Sequence, residues 1–103
     1  MKETMLHSNW QEKIIYGKDG PEPVTLLETG KAKVVLAGLK AGQQIPDHPE
    51  AESIYHFLEG DGWMIVDGAK IAVTVGETLT MPAGSARGMK TGSQLAFLAV
   101  RIS

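Results

Sequence analysis

The chain contains no cysteine, and that absence removes disulfides, thiolate metal ligands and a cysteine nucleophile while suiting either redox environment. No stretch approaches the roughly 18 apolar residues that a membrane-spanning helix needs. The opening segment MKETMLHSNWQEK holds no apolar run of signal-peptide length, so the expected location is the cytoplasm. A basic stripe is missing too: the formal net charge is −2, with acids and bases interspersed. Nothing gathers positive charge against phosphates or an anionic surface, and neither nucleic acid nor membrane is an expected partner. Amphipathic helical windows longer than a turn or two are absent. So are a serine nucleophile with its base and orienter, a phosphate-cradling glycine loop and an EF-hand calcium loop.

What is present is a succession of strands and turns, and 103 residues suffice for one domain with one core. Val24 to Glu28, Lys33 to Leu39, Ile54 to Leu58, Trp63 to Val66, Lys70 to Val75 and Gln94 to Ile102 are rich in the β-branched, aliphatic and aromatic side chains that pleated surfaces favour. Thr29-Gly30, Ala41-Gly42, Gly60-Asp61-Gly62, Asp67-Gly68 and Gly92-Ser93 mark turns and are expected to supply positive-φ positions, Asp67-Gly68 being the clearest hairpin signal. This pattern predicts an all-β sandwich or barrel. The polar stretch 1–23, ending in Pro21-Glu22-Pro23, is an arm in which only Lys13 to Tyr16 suggests a short strand; the barrel domain spans 24–103.

Two strands are apolar on both faces. Leu95 to Val100 and Trp63 to Val66 lack the alternation expected where one face meets water. The second face needs cover, either from another copy of the chain, making a homodimer, or from the arm folding back.

Two spaced stretches carry the most specific signal. Gly42 to Gly60 (GQQIPDHPEAESIYHFLEG) places five residues between Gly42 and His48 and closes on Leu58-Glu59-Gly60. Gly76 to Thr91 (GETLTMPAGSARGMKT) places five residues between Gly76 and Pro82, followed by Ala83-Gly84, Arg87 and Thr91. In spacing and in its Gly and Pro positions this pair resembles the two motifs of the cupin superfamily, over Val24 to Ser103. The resemblance implies a double-stranded β-helix, or jelly-roll cupin barrel, of the small single-domain kind.

It also implies where chemistry would sit. Three histidines and a glutamate converge on a divalent metal in that family; the matching places here are His48, Glu50, Ser53 and Arg87. Serine is a weak neutral donor, and a guanidinium is a permanent cation that cannot ligate. At about 5 Å and an effective dielectric near 20, it opposes each unit of metal charge by about 3 kcal/mol. The expectation is therefore no metal or other cofactor, with a divalent transition metal on His48 and Glu50 as the alternative. Because the family's ligands share one ion, Glu50 and Arg87 are expected to meet and form an ion pair with His48 nearby. Glu52 and His56 are expected to face outward.

Strand parity extends the site. If Ser53 points inward then so do Tyr55 and Phe57, and the next hairpin adds Met64 and Val66, leaving Trp63 and Ile65 outside. The candidate ligand-binding set is His48, Glu50, Ser53, Tyr55, Phe57, Met64 and Arg87, with no catalytic residue assigned. The leading expectation is a small organic ligand held in the barrel without metal. The alternatives are a metal-dependent isomerase, decarboxylase or dioxygenase with a reduced ligand set, and a structural dimer whose barrel is packed solid.

Overall fold

The computed structural model describes residues 4–103. Within them lie one short helix and nine strands: α1 (Trp10–Lys13), β1 (Val24–Glu28), β2 (Ala32–Leu39), β3 (Gln44–Pro49), β4 (Glu52–Glu59), β5 (Asp61–Val66), β6 (Ala69–Thr74), β7 (Thr78–Met81), β8 (Ala86–Thr91) and β9 (Leu95–Ile102). Two antiparallel sheets face each other, one ordered β1-β2-β9-β4-β7 and the other β3-β8-β5-β6.

Alternation on the central strands builds the inner face. Leu95, Phe97 and Ala99 of β9 stand opposite Leu39, Ala37 and Val35 of β2, while Phe97 and Ala99 also pair with Phe57 and Tyr55 of β4. All of these are buried, and Met64 of β5 and Met89 of β8 meet them from the other sheet. Each large side chain so buried contributes about 1.5–3 kcal/mol of transfer free energy. A one-residue slip of β9 would move the whole set to the outside, which pins the register.

Of the three strands that composition did not single out, two sit where polar residues are tolerated. β3 and β7 are sheet edges, and β3 carries Pro46 and Pro49 beside a register shift between Ile45 and His48. An edge can hold proline because no ladder bond is lost. β8 is central despite Arg87, Gly88 and Lys90; a Cβ on Gly88 would collide with the Asp47 carboxylate of β3.

Two local expectations need correction. Lys13 ends α1, capped by the Asn9 side chain, and residues 14–16 form no strand. Ile14 and Tyr16 instead cover Gly38 on the outer face of β2, where a Cβ would lie 2.6 Å from Tyr16 Cε1. The expected positive φ is found at Gly42, Gly60, Asp67 and Gly68, but not at Gly30, Gly62 or Gly92. Side chains shape the other two turns: the Thr29 hydroxyl accepts the Lys31 and Ala32 N–H groups, and the Asp61 carboxylate accepts the Ser93 N–H and hydroxyl.

The outer face of β9 is partly covered by the arm. Ala96, paired with Gly38, is fully buried. The arm is fastened by the Tyr16 hydroxyl, which donates to Glu59 at 2.6 Å, and by the Gln43 amide, which donates to the Gly17 and Lys18 carbonyls. Met5, Leu6 and Leu27 stay largely exposed.

Candidate functional site

The site begins with a backbone clamp. His48 of β3 pairs with Arg87 of β8, so these two motif residues are neighbours by register. Just past β3, the Glu50 N–H donates to the Ser85 carbonyl at 2.9 Å and the Gly84 N–H donates back to the Glu50 carbonyl at 3.1 Å. Gly84 has φ +88°, a conformation that costs a side-chain-bearing residue about 1–2 kcal/mol. The Pro82-Ala83-Gly84 turn thereby fixes Glu50 against the start of β8.

On this frame Glu50 and Arg87 meet. Arg87 Nη2 donates to Glu50 Oε2 in an ion pair, and both side chains are buried, 4% and 7% exposed. The Tyr55 hydroxyl donates to the same Oε2 at 3.0 Å, and Arg101 brings its Nε to 3.4 Å from Oε1. Arg87 also lies over the Tyr55 ring, 5.6 Å from its centroid. His48 Nδ1 is 3.2 Å from the Pro46 carbonyl, and its Nε2 is 3.4 Å from Arg87 Nη2. These contacts fit the tautomer that donates through Nδ1–H to Pro46 and accepts from Arg87 at Nε2.

Electrostatics follow the contacts. Burial alone would raise the Glu50 pKa, but the hydrogen bond and charge of Arg87, then the charge of Arg101 and the Tyr55 hydrogen bond, hold it below the ordinary glutamate value. Burial lifts the Tyr55 phenol, and the Glu50 carboxylate adds to that rise against the opposing pull of Arg87. Tyr55 is therefore a persistent donor to a persistent carboxylate.

Behind the cluster lies a cavity of about 190 Å³. Its apolar wall is Val35, Ala37, Ile45, Phe97 and Ala99; its polar groups are His48, Tyr55, Arg87 and Arg101; and Pro21 and Pro23 of the arm close one side. The space arises where β2 and β9 carry alanines, Ala37 and Ala99, on diagonal inner positions. The barrel is thus not packed solid.

Of the seven residues expected at the site, His48, Tyr55 and Arg87 line this cavity and Glu50 stands directly behind them. Ser53, Phe57 and Met64 do point inward as parity predicts, yet they are sealed in the core away from the wall. Ser53 spends its hydroxyl on the Ala51 carbonyl at 2.6 Å, and Phe57 packs on Phe97. Arg101 was missed, although the inner parity of Leu95, Phe97 and Ala99 runs on to it. Pro21 and Pro23 are read from sequence as the end of the arm, with nothing that points to the cavity they line. Trp63 lies on the outer side under the Lys70 ammonium, and His56 is satisfied by Thr78.

The donors present fit a divalent metal poorly. His48 Nε2 and Glu50 Oε2 are 3.8 Å apart, and the Arg87 guanidinium lies against both. It takes up the lone pairs that a cation would need and repels that cation besides. Among the described residues no group of three His, Cys, Asp or Glu side chains is placed to hold an ion.

No protein-family model matches the chain, and no relative emerges among the curated proteins. Solved structures do match. A double-stranded β-helix protein from Klebsiella pneumoniae superposes with a TM-score of 0.86 at 20% identity, covering 97% of this chain and 90% of that one. A cupin superfamily protein from Desulfitobacterium hafniense gives 0.81 at 15% identity, over 88% and 84% of the two chains. An RmlC-like cupin from Desulfovibrio desulfuricans gives 0.78 at 25% identity, over 99% and 96%. The fold is the cupin double-stranded β-helix.

Proposed function

We propose that this small cupin domain is a binding module that takes a small organic ligand into the cavity between its sheets without the metal that cupin motifs imply. The observation that carries this reading is Arg87: buried, paired with Glu50 and His48, and lining the 190 Å³ cavity. Its guanidinium replaces an ion as the organiser of the pocket, so the ligand places of the two motifs are a degenerate metal site. A concave, largely apolar wall with a few convergent polar groups is the usual form of a small-molecule site.

The competing reading is a metal-dependent enzyme built on His48 and Glu50. A thermal-melt titration separates the two, because an ion bound only by the folded state raises the melting temperature. Zinc, manganese, iron(II) and nickel at stoichiometric amounts are expected to leave the melt unchanged. A rise of several degrees that His48→Ala abolishes would transfer the reading to the enzyme.

For assembly we propose a homodimer, with the second copy covering the groove of about 470 Å³ formed by Met5, Leu26, Leu27, Val34 and Leu98 on the outside of the five-stranded sheet. Sedimentation velocity of the wild type against Leu27→Lys checks it; a monomeric wild type would end this part of the proposal.

A further inference from the structure

The charges around the cavity do not balance. Arg87 and Arg101 face a single carboxylate, that of Glu50, so the two guanidiniums bring one more positive charge to the polar end of the cavity than the carboxylate cancels. Glu50 is already engaged by Arg87, Tyr55 and the Ala51 N–H. Arg87 Nε and Nη1 and Arg101 Nε are buried with no aligned protein acceptor. Buried charged donors without an acceptor are costly, and an anionic guest would relieve them.

Size and polarity narrow the guest. An apolar protein cavity of about 150 Å³ holds one benzene molecule, so about 190 Å³ admits one ring or a short branched chain with a single acid group. The deep wall of Val35, Phe97 and Ala99 is buried, whereas Arg101 and His48 are 35% and 47% exposed and mark the mouth. An amphipathic ligand would lie with its apolar body inward and its acid group at Arg101. A dianionic phosphate would overcompensate one positive charge and would have to shed strong hydration against an apolar wall.

We propose that the ligand is a small monocarboxylate with a compact apolar body, its carboxylate held by Arg101 alongside the Arg87–Glu50 pair; this rests on the binding-module reading above and assigns its ligand class. Arg101 is the specificity residue for the acid group. It is partly exposed, so its replacement leaves the core intact.

The test is calorimetric titration of the whole chain with benzoate and 3-methylbutanoate, beside benzamide and benzylamine, in wild type, Arg101→Gln, Arg101→Lys and Ala99→Leu. Both acids are expected to bind one per chain, and at least tenfold tighter than the amide or amine. Arg101→Gln should lose about 10- to 100-fold toward the acids, as expected for a hydrogen bond to a charged group, with amide affinity unchanged. Arg101→Lys should recover part of that loss, and Ala99→Leu should abolish binding. Benzamide binding as tightly as benzoate, or acid binding indifferent to Arg101→Gln, overturns the ligand class while leaving a ligand-binding cavity. Acid binding that survives Ala99→Leu places the contact on the surface and overturns the proposal. Failure of acid, amide and amine alike overturns both the class and the binding-module reading.

Discussion

Arg87 and Glu50 join the two motifs through one buried ion pair, with the guanidinium on β8 and the carboxylate just beyond the end of β3. A buried pair of this kind is asymmetric in its energetics. Removing one partner strands a charge and costs about 3–5 kcal/mol, whereas replacing both with apolar groups of similar volume is near neutral. Urea denaturation of Arg87→Met and Glu50→Gln should therefore show large losses, and the Glu50→Leu/Arg87→Met double variant should recover most of them. Additive losses in the double variant would mean that the two side chains are not energetically coupled and that the pair does not act as a unit.

The same pair makes stability sensitive to acid. Glu50 has its folded pKa lowered against burial, by Arg87 first and then by Arg101 and Tyr55. A carboxyl depressed on folding adds stability that is fully present above its unfolded value, about 4.3, and is lost as pH falls through the lower folded value. The stability gap between wild type and Glu50→Gln should be constant near neutrality and shrink below about pH 4. A gap that does not change down to pH 2 would show that Glu50 does not titrate as described.

How much of this was legible beforehand varies with the residue. The inward parity of Ser53, Tyr55 and Phe57 follows from strand period alone, and the meeting of Glu50 with Arg87 follows from their matched motif places. Arg101 was hidden because a charged residue at the end of an apolar strand ordinarily marks the surface, although parity aims it inward. Ser53, Phe57 and Met64 share the inner face with the cavity wall but not its depth. Depth depends on how the two sheets close, and period does not encode that. The arm was opaque for a related reason: Pro21 and Pro23 line the cavity, and the arm that carries them is fastened by long-range contacts of Tyr16 and Gln43.

Arm docking is testable through Tyr16. Burial first, and then the Glu59 hydrogen bond and charge, raise the Tyr16 pKa, so its contribution is present below the ordinary tyrosine value and is lost as pH rises through the higher folded one. Tyr16→Phe should cost about 1 kcal/mol, and Gly38→Val, which would clash with the Tyr16 ring, should displace the arm outright. Limited proteolysis should then cut near 17–23 in both variants before the barrel is touched. Equal protection in wild type and Gly38→Val would mean that the arm is held elsewhere.

The cavity itself can be tested without any ligand, because its volume comes from two alanines. Ala99 is buried and lies between Tyr55 and Val35 in register. A leucine at 99 adds three carbons to a space of about 190 Å³, room enough to take them without forcing strained rotamers. In a solid core the same change would overpack and cost about 1–3 kcal/mol; in an open one it buries new apolar surface, at about 0.8 kcal/mol per carbon. Ala99→Leu should leave the urea midpoint unchanged or raise it, whereas Ala96→Leu, on the packed outer face beneath the arm, should lower it. Destabilisation of both variants by similar amounts would show that β9 has no space beside it, and the binding reading would lose its physical basis.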